Sequence, residues 1–553
     1  MRTMTVLPLA MMLPLVFSFA GCSTTVDETD RVLQAEWPAT PSDFALVPKP
    51  RVQERMDGCY AHTTTNGWNE DDWYDFDRLG LCLSETPTTC RTDVTLPREG
   101  YRLEVRPEGV SIVSADAAGE FYARQTLRQL TTMTATNAIA IPCCSIEDSP
   151  RYAWRGVLLD ETRHFFGKEI VKRLIGLMAQ HKLNVLHWHL TDDQGWRIDI
   201  PGHPELVRYG AVRPRSVAFG THARWLPPGQ KIEFDYNTEA YGPYYYTVGD
   251  VKEVLAFARR HHVKVVPEIE LPGHVRAFLA AHPECSCRGK GLPREPRCGW
   301  SVEEDVLCVG NDESVRIFEE ILDRVCEMFP DSPFIHIGGD ECPRIRWKAC
   351  AKCQARIKAE GLKDENELQA WITSKMVRHL EKKGRRAVGW DEVLAGDVPM
   401  STVGMSWRAN AKGGAGTSYV SAVEAVRRGH DMVMTPREFC YLDRTQGVAD
   451  DPYPYFWQWP GDELTLEKTY SFDPVAGIPE DKRSHVIGGQ ASLWTESTFT
   501  VFDLDWKTWP RACAIAEVLW AGEAKPAFVD FRHRMKAHRR RLVLENVNCA
   551  PQK

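Results

Sequence analysis

The sequence predicts an α/β chain built as a (β/α)8 barrel behind a small α+β domain. Three observations predict it. From Arg151 onward short apolar runs alternate with amphipathic stretches, the signature of parallel strands joined by helices. Eight such units, spread over roughly 350 residues, fit a closed barrel with insertions. Residues 51–150 carry a different pattern, a hairpin followed by a helix. An open doubly wound sheet is the alternative, but no G-x-G-x-x-G loop follows the first strand.

Taken in order, residues 1–21 form an export signal. Arg2 supplies its positive start, and Val6–Phe19 is apolar yet short for a membrane span. Phe19-Ala20-Gly21-Cys22-Ser23 resembles a bacterial lipobox, with Phe19 where Leu is usual. Lipidation of Cys22 and anchoring to a bacterial (outer) membrane follow; periplasmic or secreted release is the alternative. Residues 22–50, rich in Thr, Asp and Pro, read as a linker. In the small domain, 51–150, Tyr101–Val105 and Val110–Val113 are strands around a Pro-Glu-Gly turn, and Ala117–Met133 has helical spacing.

The barrel, 151–525, takes its strands from Gly156–Asp160, Val185–Leu190, Lys264–Ile269, Phe334–Ile337, Arg386–Trp390, Thr402–Trp407, Asp431–Met434 and Val486–Leu493. Ile170–His181, Val251–His261, Val315–Phe329 and Leu368–Lys383 are intervening helices. Residues 526–553 form a C-terminal helical extension. Pro452–Trp457, within an insertion at 450–473, reads equally as an aromatic rim for sugars or as a packed loop.

Composition narrows the function. Lys plus Arg total 68 against 76 Asp plus Glu, a net charge of −8, and the one basic run is Arg539–Arg541. Nucleic acid is not the partner. The 18 Trp residues suit a core and also sugar faces. Without Cys22 the cysteines number 16, an even count that fits disulfides outside the cytoplasm. Pairs are expected among Cys59, Cys82 and Cys90, and among Cys285, Cys287, Cys298 and Cys308. Cys350-x-x-Cys353 has half of a zinc pattern, but no second C-x-x-C or His pair at zinc spacing lies near it, so no metal is expected.

Barrel chemistry sits at the C-terminal ends of the strands. Those ends here carry Asp160-Glu161-Thr162-Arg163, His187-Trp188-His189 with Asp192-Asp193, Glu268 to His274, Asp340-Glu341, Trp390-Asp391-Glu392, Trp407-Arg408, Tyr441 with Asp443, and Trp494-Thr495-Glu496. A carboxylate leaving a buried strand is costly unless paired or used. His187 and His189, at i and i+2, would suit a metallohydrolase, but no His stands at the exits of the fifth, sixth or eighth strand to complete that site.

The motifs HWHLTDDQGWR, PEIELPGH, HIGGDE, GWDE and SLWTE occur in that order. Over about residues 95–525 the chain resembles the family 20 glycoside hydrolases, the β-N-acetylhexosaminidases. The resemblance implies Glu341 as general acid, Asp340 as stabiliser of the substrate's 2-acetamido group, and Tyr441 as donor to its carbonyl. It implies a pocket of Trp390, Trp407 and Trp494, with Arg163, Glu496 and Asp443 on sugar hydroxyls. His274 and Asp192 match a supporting pair near the acid. Asp391 and Glu392 are given no catalytic role, and Glu270 no definite one.

Adjacent carboxylates on one strand cannot easily attack opposite faces of a sugar, whereas retaining glycosidases place two about 5 Å apart. In the family resembled, the substrate's own amide oxygen attacks. Glu341 is then expected to keep its proton near neutrality through the Asp340 anion and a low-polarity pocket. The expected activity is exo-hydrolysis of terminal β-linked GlcNAc or GalNAc, without a cofactor. Rivals are a disaccharide-releasing enzyme of lacto-N-biosidase type and a non-catalytic sugar binder.

Overall fold

The computed structural model describes residues 44–63, 86–133, 138–218, 234–237, 239–408, 419–448 and 463–551. The export segment, Cys22, Cys82 and Pro452–Trp457 lie outside them, as does most of the 22–50 segment. Eight parallel strands close a barrel: β1 Trp154–Asp160, β2 Val185–His189, β3 Lys264–Glu268, β4 Phe334–His336, β5 Arg386–Trp390, β6 Val403–Ser406, β7 Met432–Met434 and β8 Val486–Leu493. The seam is β8 on β1, with Gln490 opposite Gly156 and Leu493 opposite Leu159.

Every residue of β1 is buried. That is the condition of a parallel strand covered on both faces, and it explains why these strands read as apolar runs rather than alternating ones. Leu158, Val185, Val266, Val388, Val403, Met405 and Val433 fill the lumen. A separate, larger apolar layer packs the strands against the surrounding helices.

Four of those helices, Lys168–Gln180, Val248–Arg260, Asp312–Met328 and Glu365–Lys382, start two or three residues before the apolar period does. Three of them have polar starts because they carry side-chain caps, while the first, behind Gly167, carries none. Thr247 and Asp250 form a capping box, Asn311 accepts from the Glu313 amide, and Asp364 accepts from the amides of Asn366 and Glu367.

In the small domain, Tyr101–Arg106 and Gly109–Ser114 pair as the expected hairpin. Val52–Thr63, Thr88–Thr92, Ala138–Asp148 and the short Thr132–Met133 bring the sheet to six strands. The helix ends at Leu130 rather than Met133, because Thr132–Met133 pairs with Ile139 and Ala140 as a strand. The linker reading of 22–50 also needs correction at its end. Phe44, Leu46 and Val47 are buried, and Gln129 bonds both the amide and the carbonyl of Val47 at 2.9 and 2.8 Å. The C-terminal helix runs from Phe528 to Leu544.

Asp148 fastens the small domain to the barrel. It accepts from Lys182 Nζ at 2.8 Å, Tyr101 Oη at 2.9 Å and Trp520 Nε1 at 2.8 Å. The fifteen described cysteines form no disulfide. The expected pairing within 285–308 gives way because Cys287 and Cys308 turn toward Cys350 and Cys353. Among the described residues no helix is long and apolar enough to cross a membrane.

Candidate active site

The strand exits converge on one cleft. At its base lies Glu268, the last residue of β3, fully buried. His336 Nδ1 meets it at 2.6 Å, His187 Nε2 at 3.0 Å, and Trp390 Nε1 donates to it at 2.9 Å. His189 Nδ1 also contacts it, and the His189 Nε2 atom reaches Asp192 at 3.0 Å. Burial alone would push the Glu268 carboxyl up, but His336, His189 and His187 overcome that and hold it well below the carboxylate range. Burial drives His187 down to about 4, whereas Glu268 and Asp192 raise His189 to about 10 against the burial cost. His187 Nδ1 meets Gln490 Nε2 at 3.0 Å, and its Nε2 lies 3.0 Å from the Glu268 carboxylate. The histidines that suggested a metallohydrolase thus orient a carboxylate and the pocket floor.

Above this base stands His274. Its Nδ1 lies 3.2 Å from Asp192 and 3.1 Å from Asp193, and its Nε2 lies 3.6 Å from both Asp340 and Glu341. Burial opposes its charge, yet Asp192 and Asp340 raise it well above the usual histidine range, so it is an imidazolium. Arg163 completes the ring. It meets Asp192 at 2.8 Å, Asp160 at 3.3 Å and Gln194 at 2.9 Å, and its guanidinium lies 5.2 Å from the centre of the Trp494 ring. Glu161 does not join Arg163; it accepts from the Phe166 amide at 2.8 Å.

The acid turn is shaped by backbone conformation. Gly338 and Gly339 follow β4 at φ +62° and +100°, and Glu341 itself stands at +44°. A side chain on Gly338 would collide with Glu270 Oε2, 1.7 Å from where its Cβ would sit. Left-handed backbone at a non-glycine residue costs about 1–3 kcal/mol and is held only by its surroundings. Here the holding contacts include Glu392, which accepts from the Glu341 amide at 3.3 Å.

The protonation order reverses the expectation from sequence. Burial, with Glu392 and Glu341 adding to it against His274, raises Asp340 to about 8. Glu341 is also pushed up by burial, but His274, Arg408 and Arg163 bring it below its usual range. These two directions favour protonation of Asp340 over Glu341. The reason is position: Asp340 is the more buried of the two, and the charges of Arg408 and Arg163 act on Glu341.

Aromatic rings wall the cleft. Trp390 and Trp494 have centroids 5.7 Å apart, Tyr441 and Trp494 6.0 Å, and Trp407 and Tyr441 6.4 Å with planes within 17°. The Trp407 indole donates to Glu392 Oε2 at 3.2 Å. Glu496 follows Trp494 and lies in the field of Arg163 and Asp443; burial raises it to about 7. The structure therefore brings together all the side chains marked in the barrel sequence: Glu341, Asp340, Tyr441, Arg163, Asp192, His274, Trp390, Trp407, Asp443, Trp494 and Glu496.

Sequence reading placed Glu268 and Arg408 at strand exits without a role, passed over Gln194, and left Glu392 without a task. Arg408 pairs with Asp391 at 3.1 Å and with Glu392, the carboxylate that positions both Trp407 and Glu341. Glu268 had a usable signal, a charge closing the otherwise apolar strand Lys264–Glu268.

Residues 152–523 match the family model "Glycosyl hydrolase family 20, catalytic domain" and residues 45–149 match "Glycosyl hydrolase family 20, domain 2". The chain belongs to glycosyl hydrolase family 20. Among family 20 relatives, the beta-hexosaminidase of Porphyromonas gingivalis is 38% identical over 83% of this chain, which spans 55% of that protein. The beta-hexosaminidase of Akkermansia muciniphila is 32% identical over 82% of this chain and 85% of its own length. A solved family 20 structure, the exo beta-N-acetylglucosaminidase of Vibrio harveyi with N-acetylglucosamine, superposes with a TM-score of 0.77 at 30% identity, covering 94% of this chain and 80% of that one. A mutant Streptomyces plicatus beta-hexosaminidase with its product GlcNAc gives 0.74 at 26% identity, covering 93% and 99%.

Proposed function

We propose that the protein is an exo-β-N-acetylhexosaminidase. It releases terminal non-reducing β-linked GlcNAc or GalNAc from glycans with retention of configuration. The observation that carries this reading is the acid turn, where Asp340 and Glu341 are adjacent and both sit 3.6 Å from one His274 nitrogen. Two carboxylates so placed approach a sugar from the same side, so the attacking atom must come from elsewhere. The substrate's amide oxygen is the attacking group of this family, and the names of the Vibrio harveyi and Streptomyces plicatus proteins, with N-acetylglucosamine and GlcNAc bound, support an N-acetyl sugar here.

Glu341 lends its proton to the leaving oxygen and then takes one from water. Asp340 holds the acetamido N–H and, as an anion, stabilises the oxazolinium cation. Tyr441 donates to the acetamido oxygen, and the walls of Trp390, Trp407 and Trp494 curl the acetamide beneath the ring. Arg163, Asp443 and Glu496 hold the hydroxyls; Asp192, bonded to His274 and Arg163, keeps both in place. Asp340 is raised and Glu341 lowered, so the acid step calls for transfer of a proton to Glu341 as substrate binds. A developing cation beside Asp340 favours that transfer. No step requires a cofactor. Asp443 and Glu496 at the outer end favour release of a monosaccharide over a disaccharide.

A panel of aryl glycosides tests the mechanism. N-acetylglucosaminides should be cleaved, and analogues with a 2-hydroxyl should react slower by roughly three orders of magnitude or more, since the tethered nucleophile is lost. An oxazoline-mimicking thiazoline should inhibit. Equal rates on both substrate classes, or a glycosyl ester trapped on a protein carboxylate, would refute it.

Export with anchoring through Cys22 belongs to the same reading and is supported by the Phe19–Ser23 motif. Incorporation of labelled fatty acid into the wild type, and its loss in Cys22→Ala, is the expected result; a soluble, unlabelled wild type rejects it.

A further inference from the structure

Cys350-x-x-Cys353 lacks a companion pair in the sequence, and the fold supplies one. Cys287 and Cys308 come from the long connection after β3, Cys350 and Cys353 from the connection after β4. Their four sulfurs lie within 4.8 Å of one another. The separations are 3.8 Å for Cys287 to Cys353, 3.7 Å for Cys308 to Cys350, and 3.8 Å for Cys308 to Cys353. Zinc bound by thiolates at about 2.3 Å sets tetrahedral edges of about 3.8 Å. A disulfide needs about 2.05 Å. We propose that these four cysteines hold a structural zinc ion, with all four positions filled by thiolate sulfur.

The surroundings are those of a closed metal knot. Cys308 and Cys353 are buried and Cys287 and Cys350 partly so. Gly310 packs its backbone on the Cys-x-x-Cys turn; a Cβ there would come within 2.2 Å of the Lys352 carbonyl carbon. The Gly310 amide also hydrogen-bonds Cys353, and the Lys352 charge acts on Cys308. An amide donor and a nearby cation offset the negative charge of a four-thiolate zinc centre. Binding would release the thiol protons to solvent.

The knot would tie together the two loops that carry the acid site. Leu307, next to Cys308, donates to Pro272 O at 2.9 Å and accepts from the Trp347 indole at 2.8 Å. Pro272 lies two residues before His274, and Gly273 packs against Cys342, the neighbour of Glu341. Zinc would hold the His274 loop against the Asp340–Glu341 turn without touching substrate.

The test uses the purified full chain without a polyhistidine tag. Elemental analysis should find about one zinc per chain, and a mercurial should release it in step with modification of four thiols. Cobalt exchanged into the site should show the visible bands of a tetrahedral tetrathiolate. Cys353→Ser and Cys287→Ser should each lose the zinc and lower Tm by about 5 °C or more, while Cys298→Ser keeps both. Should the serine variants fail to fold, the wild-type stoichiometry decides alone. Wild type free of zinc, loaded with iron instead, or lighter by the four hydrogens of two disulfides overturns the proposal.

Discussion

His274 links both carboxylates of the acid turn to Asp192 and Asp193, so the site behaves as one coupled charge system rather than as separate residues. Glu341→Gln should keep sugar binding and lower kcat by roughly 10²–10⁴-fold, the range for loss of a general acid–base group; kcat and KM on a chromogenic N-acetylglucosaminide check it. Asp340→Asn should cost about 3–4 kcal/mol of transition-state stabilisation and leave KM nearly unchanged. The pH profile follows from the same geometry. Asp340 is raised to about 8 and Glu341 is lowered, so the pair carries one proton between those two ionisations. Raising the pH through about 8 removes that proton, and kcat/KM should fall there. In Asp340→Asn the acid left in the pair is Glu341, whose ionisation is lowered, so the alkaline limb should move to the acid side of neutrality. A limb that stays near 8 in this variant assigns it to another group.

At the scale of elements, the decisive unit is the turn after β4. Gly338 is at φ +62° and has no room for a side chain beside Glu270. Gly338→Ala should therefore displace the turn, lowering kcat at least tenfold and Tm by several degrees; differential scanning calorimetry alongside kinetics separates the two effects. Caps matter less for function and are measurable for stability. Thr247→Ala removes one half of a capping box and should cost about 1 kcal/mol, read by denaturant titration with activity unchanged. These details were unequally legible. The eight barrel strands could be read because both of their faces are buried and their residues are mostly apolar. Helix starts were read late because capped first turns are polar. The strands Val52–Thr63 and Thr88–Thr92 were missed because their side chains are largely exposed and carry little apolar pattern.

Across the whole molecule, stability depends on the seam between the small domain and the barrel. Asp148 is the shared acceptor there, buried with Lys182. Removing one member of a buried pair strands the other charge, at about 3–5 kcal/mol. Asp148→Ala should show that loss in urea unfolding, while Lys182→Met with Asp148→Asn together should recover much of it. A loss under 1 kcal/mol for the single variant would mean that water reaches the seam. The segment 44–47 also belongs to this seam, tied by Gln129 and by Arg534, which donates to the Leu46 carbonyl at 2.6 Å.

By itself the sequence determined the barrel, the order of its strands and the identity of the residues at their exits. Apolar runs and the polar residues that end them are local properties of the chain. The tertiary structure decided the rest: that Glu268 gathers three histidines, that Glu392 holds Glu341 and Trp407, that burial raises Asp340 while nearby cations lower Glu341, and that Cys287 and Cys308 meet Cys350 and Cys353. Each of these depends on distances between segments far apart in sequence, and on the loss of water around them. Neither spacing nor composition carries that information.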